Sequence, residues 1–142
     1  MTGVDVVVER LGDIAGVTAL VGTRIYALIL PQSATFPAVL VKNVHLGEDM
    51  HLRGMTGVKV ERVQVDHYAD TGDMLSGARA LADAAYGAGD ATGLAAWAGS
   101  LGGSPATKVD RIEPLDRVEG FSNFGGKRQA VVSQDYQVQY RG

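Results

Sequence analysis

The sequence predicts an α+β fold, in which helices pack on one face of a mostly antiparallel β-sheet. Two segments place apolar residues at helical spacing, and several others are rich in β-branched residues or alternate apolar with polar side chains. These elements follow the order helix, strand, strand, helix, strand, strand, and short links between successive strands favour antiparallel pairs. The 142 residues contain no Pro-rich or charged linker, so a single domain over residues 1–142 is expected.

The first predicted helix has its apolar residues at positions i, i+3, i+4 and i+7: Val4, Val7, Val8 and Leu11. Thr2 can cap its start, and Gly12 is expected to end it. Asp13 is then predicted to cap a short second helix through Leu20, after which Gly22 turns the chain.

Two strands are predicted after a loop that Pro31 and Pro37 bracket. The first covers residues 38–46 and the second residues 58–68, both rich in β-branched and aliphatic side chains. In the second strand, Val58 and Val60 share one phase of the alternation, whereas Val63 and Val65 share the other. A one-residue slip exchanges the two faces of a strand, so the pattern indicates either a β-bulge near residues 61–62 or a protruding arm whose environment changes there.

The clearest predicted helix is capped by Asp70 or Thr71 and ends near Gly87. Its apolar stripe is Met74, Leu75, Ala78, Leu81, Ala82 and Ala85. The small alanines on this stripe permit a close approach to a sheet.

Two strands are predicted in the C-terminal part of the chain. The first covers residues 107–113 and is interrupted by Pro114. The second places five residues on one face: Val132, Gln134, Tyr136, Val138 and Tyr140. Glycine-rich stretches at residues 99–103 and 120–127 lack the spacing of nucleotide-binding motifs, so both are interpreted as loops, the latter as a hairpin connection.

Residue types that carry catalysis or bind metals give no coherent pattern. There is no cysteine, and the three histidines, His45, His51 and His67, lack the helical pairing of zinc enzymes. Asp66 and His67 are neighbours on a strand and therefore point to opposite faces. The sequence predicts neither a catalytic site nor a bound metal or cofactor.

Charge and hydropathy limit the classes of partner. The net charge of −3 lacks the basic excess of proteins that grip nucleic acid by its phosphates. The longest apolar run, residues 25–30, is far shorter than the ~20 residues that span a bilayer. The N-terminus has no cationic stretch before its apolar residues, so no signal peptide is predicted. These features favour a soluble intracellular protein.

One segment is predicted to bind a partner. Residues 46–57 are too long for a tight turn and are expected to form a protruding loop between two strands. They mix apolar with charged or polar side chains, a composition that suits a partner surface: Glu48, Met50, His51, Leu52, Arg53 and Met55. Trp97 fits two places equally well, as an interface anchor or in the core.

Four stretches resemble, in order, the tail completion or terminator proteins of long-tailed phages and gene transfer agents. They are Leu20-Val-Gly-Thr-Arg-Ile-Tyr26 with Pro31-Gln32 and Phe36-Pro37, Arg62-Val-Gln-Val-Asp66 before a helix, residues 94–103, and Gln134-Asp-Tyr-Gln-Val-Gln-Tyr140. The resemblance implies a structural, non-enzymatic protein that forms a ring, commonly a hexamer, on the head-proximal end of the tail tube. Its implied partners are copies of itself, the tail tube protein and the head–tail connector, with DNA passing through the lumen without specific binding.

Within that family resemblance, the segment at residues 46–57 is expected to dock on a neighbouring subunit or on the tube. Two alternatives stay open at this point. One is another neck, connector or minor tail component, and the other is a small α+β enzyme or ligand-binding domain.

Overall fold

A computed structural model describes residues 2–45, 59–69, 75–102, 106–124 and 127–141 of the chain. These residues form three helices and six strands: α1 (Gly3–Gly12), α2 (Ala15–Val21), β1 (Ile25–Ala27), β2 (Ala38–His45), β3 (Lys59–Tyr68), α3 (Leu75–Tyr86), β4 (Gly99–Leu101), β5 (Thr107–Phe124) and β6 (Lys127–Arg141). The strands make one sheet in the order β1-β2-β3-β6-β5-β4.

The sheet is mixed, which corrects part of the predicted fold class. β1 runs parallel to β2, with Ile25 opposite Val39, whereas the other described pairs are antiparallel. Residues 28–37 connect β1 to β2, and this long connection lets the chain return in the same direction. The fold is therefore α+β with a mostly antiparallel sheet, except that the edge strand β1 is parallel to β2.

Helix α1 begins as predicted. Thr2 Oγ1 accepts a hydrogen bond from the Asp5 backbone N–H at 3.2 Å, and the Thr2 backbone N–H donates to the Asp5 carboxylate at 2.9 Å. The predicted cap of α2 is wrong, because Asp13 is instead the C-cap residue of α1. Ile14 precedes α2 without any side-chain capping bond, and Gly22 ends α2 at φ +58°.

The predicted bulge lies in a different strand. Val44 of β2 is the extra residue, between Asn43, which pairs with Val63, and His45, which pairs with Arg62. β3 pairs with β6 without interruption from Lys59 to Tyr68. Because β3 has neighbours on both sides, an extra residue would break two ladders there, whereas β2 pairs with β1 only at residues 39–41.

Helix α3 matches its prediction over the described residues. Its buried side chains are Ala78, Leu81, Ala82 and Ala85, and it ends before Gly87, which has φ +80°. Met74 and the proposed caps Asp70 and Thr71 lie outside the described residues. Ala78 and Ala82 pack in a small cluster with Ala69, Ala130 and Val132, whereas Ala85 joins the main core, so α3 sits close to β3 and β6.

Strand β5 continues through Pro114, contrary to the prediction of an interruption. Pro114 pairs with Tyr136, and the register shifts between Pro114 and Arg117. Beyond Ile112, which bonds to the backbone of residues 96–97, β5 has no described neighbour on its outer side, and an open edge with a nearby bulge tolerates the missing N–H of proline. Both predicted glycine-rich loops also contain strand: residues 99–101 form β4, and β5 and β6 run to the pair Phe124 and Lys127.

All three helices share one core with one face of the sheet. Helical side chains such as Val7, Val17 and Leu81 pack in the same buried cluster as Val65 and Tyr136 of the sheet. The predicted alternation in β6 is confirmed, because its even-numbered residues from Val132 to Tyr140 are all buried. Within the described residues, no helix is long and apolar enough to cross a bilayer.

Candidate assembly surfaces

The segment predicted to bind a partner lies between β2 and β3, at residues 46–57. Its six candidate residues are outside the described part of the chain: Glu48, Met50, His51, Leu52, Arg53 and Met55. The strands that flank the segment are described up to His45 and from Lys59. The role of these residues therefore stays a prediction.

His67 is a core residue of β3. Its Nδ1 lies 2.8 Å from the carbonyl oxygen of Val132, and a carbonyl can only accept, so the neutral ring carries its proton on Nδ1. Nε2 is buried without a hydrogen-bond partner. Burial lowers the pKa of His67 to about 4, because charging a fully enclosed imidazole costs its hydration energy.

Asp66 lies on the opposite face of β3 and is held by three neighbours. It is only 4% exposed, and its carboxylate accepts from Ser133 Oγ at 2.6 Å and from Gln64 Nε2 at 2.7 Å. Lys42 Nζ lies 3.3 Å from its other oxygen. This arrangement fixes Asp66 between three strands and directs it away from the imidazole of His67.

The sheet face opposite the helices is polar, and several of its charges are paired. Arg62 donates to the Asp135 carboxylate at 2.7 Å, beside the Lys42–Asp66 pair. Among the described residues, no group of three or more His, Cys, Asp or Glu side chains is arranged to hold a metal ion.

Trp97 packs against the edge of the core. It is half-buried, and the Arg10 guanidinium lies over its ring at 4.8 Å. Arg10 Nη2 also donates to the carbonyl oxygens of Ala91, Thr92 and Gly93 at 3.2 to 3.3 Å. Trp97 thus packs against the core with part of its side chain exposed, and its role as an interface anchor stays a prediction. Arg10 ties α1 to the loop before β4.

An apolar groove lies between α2 and α3. Its volume is about 250 Å³, and its lining residues are Ala19, Leu20, Pro37, Gly77, Ala80 and Leu81. Leu20 is nearly half exposed, and Gly77 and Ala80 lie on the exposed side of α3. Small side chains on one wall and a leucine on the other leave room for an apolar side chain of a partner.

Both ends of the sheet carry exposed apolar residues, which the sequence analysis did not identify. Beside β1, Ile29 is 77% exposed and Leu28 is 57% exposed. In β5, Val118 is 66% exposed and Phe121 is 47% exposed, with the Arg128 guanidinium over the Phe121 ring at 4.2 Å. One signal was available in the sequence: no charged residue occurs from Ile25 to Val41.

The far half of β5 is tied to α3 by two ion pairs. Arg79 Nη2 donates to Glu119 at 2.8 Å, and Arg117 Nη1 donates to Asp83 at 2.8 Å. The Arg79 contact lowers the pKa of the Glu119 carboxyl. These pairs hold one face of the hairpin against the helix, while the side chain of Val118 projects from the other face.

Comparison with known proteins agrees with the sequence resemblance. The family model described as Tail completion protein gp17 matches residues 5–118, which is well over half of the chain. No curated protein matches the sequence. The matched range includes most of α1, the whole of α2 and α3 and the strands from β1 to β4, together with the first part of β5. The chain therefore belongs to the tail completion protein gp17 family, a family of structural phage tail proteins, which implies a non-enzymatic role in the virion.

Proposed function

We propose that this protein forms a ring, hexameric in the assembled virion, that caps the head-proximal end of the tail tube. The ring ends tube polymerisation and joins the tail to the head connector. The observation that carries the proposal is the family match over residues 5–118.

Surface chemistry supports an assembly role. A closed ring needs each subunit to offer two different surfaces, one to each neighbour, related by a rotation that closes. The described chain has an apolar groove between α2 and α3 and exposed apolar residues at both ends of its sheet. Exposed apolar patches of this kind are typical of protein–protein contacts.

DNA is proposed to pass through the ring lumen without being held. Such a passage requires a wall with few free cations, because unpaired Lys and Arg side chains bind phosphates. The net charge is −3, and on the polar sheet face Lys42 pairs with Asp66 and Arg62 with Asp135. These pairs support an inert lumen if that face lines it.

The segment at residues 46–57 is proposed to dock on the neighbouring subunit or on the tail tube. Leu52→Asp combined with Arg53→Glu is expected to reduce ring assembly or to alter tail length. A matched control is Leu115→Asp with Arg111→Glu, which changes an exposed leucine and an exposed arginine of β5. Normal assembly and tail length in the first variant would show that the segment binds neither partner.

The ring is tested by native mass spectrometry and negative-stain electron microscopy of the purified chain and of isolated tails. We expect a hexamer-sized species and ring-shaped particles at one end of the tail. A monomer in solution, together with tails that lack the protein at that end, would contradict the proposal.

Deletion of the gene separates the terminator role from the related neck and minor tail roles. Loss of a terminator is expected to give overlong tails or separate heads and tails. Leaky or empty heads with tails of normal length would instead indicate a head–tail connector component. A monomer that turns over a substrate would indicate an enzyme.

A further inference from the structure

The two ends of the sheet are open in the described part of the chain. β1 pairs only with β2, on its inner side. β4 covers β5 at Thr107–Val109, and the chain before β4 extends this cover to Ile112, whose N–H donates to the Trp97 carbonyl at 3.0 Å and whose carbonyl accepts from the Ala96 N–H at 2.8 Å. The outer side of β5 at residues 113–124 has no described neighbour. An open strand edge presents unpaired N–H and C=O groups to which another strand can add.

The open edge of β5 divides into a protected and an unprotected part. Residues 113–117 carry a proline, one register shift and three charged side chains, all of which discourage pairing between edges. Residues 118–124 have no proline and pair with β6 in continuous register. Their one charged side chain, Glu119, is engaged by Arg79 of α3. If solubility were the only requirement, residues 118–124 would be expected to carry the same protection against pairing with another edge.

The outer edge of β1 is partly open. The Ile25 N–H donates to the Thr23 carbonyl and the Ala27 carbonyl accepts from the Ile29 N–H, both at 2.8 Å, so the Ile25 carbonyl and the Ala27 N–H are the outward groups left for another strand.

This edge also lacks protection by charge. Residues 25–41 contain no charged side chain, and Leu28 and Ile29 are exposed beside the strand. The nearest cation, Arg24, is occupied: its Nε donates to the Pro37 carbonyl at 2.8 Å and its Nη2 to the Leu20 carbonyl at 3.4 Å. Natural proteins usually block such an edge with a charge, unless a partner covers it.

We propose that residues 118–124 of β5 in one copy of this chain pair with β1 of the next copy, so that the sheet continues from subunit to subunit. Main-chain hydrogen bonds between the strands supply affinity. Val118 on one face of β5 and Phe121 on the other each lose exposed apolar surface against Leu28 or Ile29 of the neighbouring copy. The inference rests on the proposed ring. It names a head-to-tail contact between two different edges, the type of contact that a ring requires. Pairing of β5 with β5 would instead produce a two-fold dimer.

Engineered cysteines test this contact without background cross-linking through native thiols, because the chain contains no cysteine. Ala27→Cys with Ser122→Cys in one chain is treated with a short thiol cross-linker, both in solution and on assembled tails. We expect a ladder of covalent oligomers that stops at the size of the ring. A mixture of the two single variants should stop at covalent dimers, and Ser122→Cys alone should give none.

A matched double variant places the second cysteine on β4, which lies beyond β5 at the same end of the sheet. Ala27→Cys with Ser100→Cys probes β4, where Ser100 is exposed. This variant is expected to give no ladder. A ladder through Ser100 in place of Ser122 would overturn the pairing with β5.

A charge placed on the unprotected edge gives a second readout. Val118→Lys is expected to lower ring formation at least tenfold at a given protein concentration, whereas Leu115→Lys, in the protected part of the same strand, leaves it unchanged. Circular dichroism and the thermal unfolding midpoint check that both variants fold. If Val118→Lys does not fold, the cross-linking result decides alone.

The outcomes separate this inference from the proposed function. Rings without the cross-link between residues 27 and 122, or with cross-links only between two copies of Ser122→Cys, would overturn the edge pairing and leave the ring intact. Absence of any ring, in solution and on tails, would overturn the proposed function and this contact with it.

Discussion

The imidazole of His67 is enclosed in the sheet, with one nitrogen bonded to the Val132 carbonyl and the other without a partner. Its folded-state pKa of about 4 lies below the ordinary value of 6.5. Above pH 6.5 both the folded and the unfolded chain keep the ring neutral. Between pH 6.5 and about 4 the unfolded chain binds a proton that the folded chain excludes, so stability falls as the pH falls through this window.

We therefore expect acidification from pH 7 to pH 4 to remove roughly 3 kcal/mol of unfolding free energy through His67. Urea unfolding at a series of pH values measures this loss. Carboxylates also titrate at low pH, so the comparison is with His67→Phe, which keeps a ring of similar shape and cannot titrate. The variant starts less stable, because the Val132 carbonyl loses its donor, but its unfolding free energy should fall less steeply with acid. Parallel pH profiles would show that His67 is not the group responsible.

Arg10 links α1 to the loop before β4 through one stacking contact and several carbonyl oxygens. Arg10→Met keeps the apolar stem and removes the guanidinium, so the unfolding free energy is expected to fall by about 1–3 kcal/mol. Trp97 is the single tryptophan, and its fluorescence emission reports on the loop directly. The control Arg111→Met removes an exposed arginine of β5 and should change neither stability nor emission. An unchanged Trp97 spectrum in Arg10→Met would contradict the contact.

At the scale of elements, the junction after α3 depends on a close approach of backbone segments. A Cβ on Gly93 would lie 2.6 Å from the Ala85 carbonyl oxygen and equally close to the backbone of residues 86 and 87. Gly93→Ala is therefore expected to cost about 2 kcal/mol or more of unfolding free energy, measured by thermal or urea unfolding.

Gly12→Ala is the matched control, because a Cβ on this last residue of α1 would meet no atom within 4 Å. It is expected to leave stability unchanged or to raise it by up to about 1 kcal/mol, since alanine favours a helix over glycine. A smaller loss for Gly93→Ala than for Gly12→Ala would refute the close approach.

Long elements with strong local patterns were predictable from the sequence, and short elements were not. The periodicity of α1 and α3 and the alternation of β6 survive in the structure because each element buries one regular face. β1 and β4 are three residues each, too short for any period, and they exist because a neighbouring strand offers an edge. Pro114 was misinterpreted for a related reason, because its cost depends on whether the outer side of β5 is occupied.

Among the candidate assembly surfaces, one could be proposed from the sequence and the open strand edges could not. The mixed composition of residues 46–57 is visible in the sequence, and their partner role stays a prediction. The open edges were missed because an edge is defined by which strands fail to find a neighbour, a property of the whole sheet. The run without charges at residues 25–41 marks one of these edges, but the same composition also describes a buried strand.

At the scale of the whole molecule, a ring ties the stability of the fold to protein concentration. If subunits complete each other's sheets, the thermal midpoint should rise by roughly 5 °C or more over a hundredfold increase in concentration, because assembly stabilises only the folded chain. Differential scanning fluorimetry across that range measures the shift. Val118→Lys should make the midpoint independent of concentration, whereas Leu115→Lys should retain the dependence. A constant midpoint for the unsubstituted chain would indicate that no ring forms over that range.

The position of β6 has a consequence for biosynthesis. β6 lies between β3 and β5, yet the ribosome makes it after both of them. Until it emerges, the nascent polypeptide holds two separated groups of strands that cannot join, and the edge of β3 that later pairs with β6 has no partner. Pairing of β6 with β5 closes a very short loop and costs little loop entropy. Pairing of β6 with β3 closes a loop of more than sixty residues and costs more. We expect the β5–β6 hairpin to form first and then to pair with β3 as a unit. The native sheet can therefore form only after β6 has been synthesised.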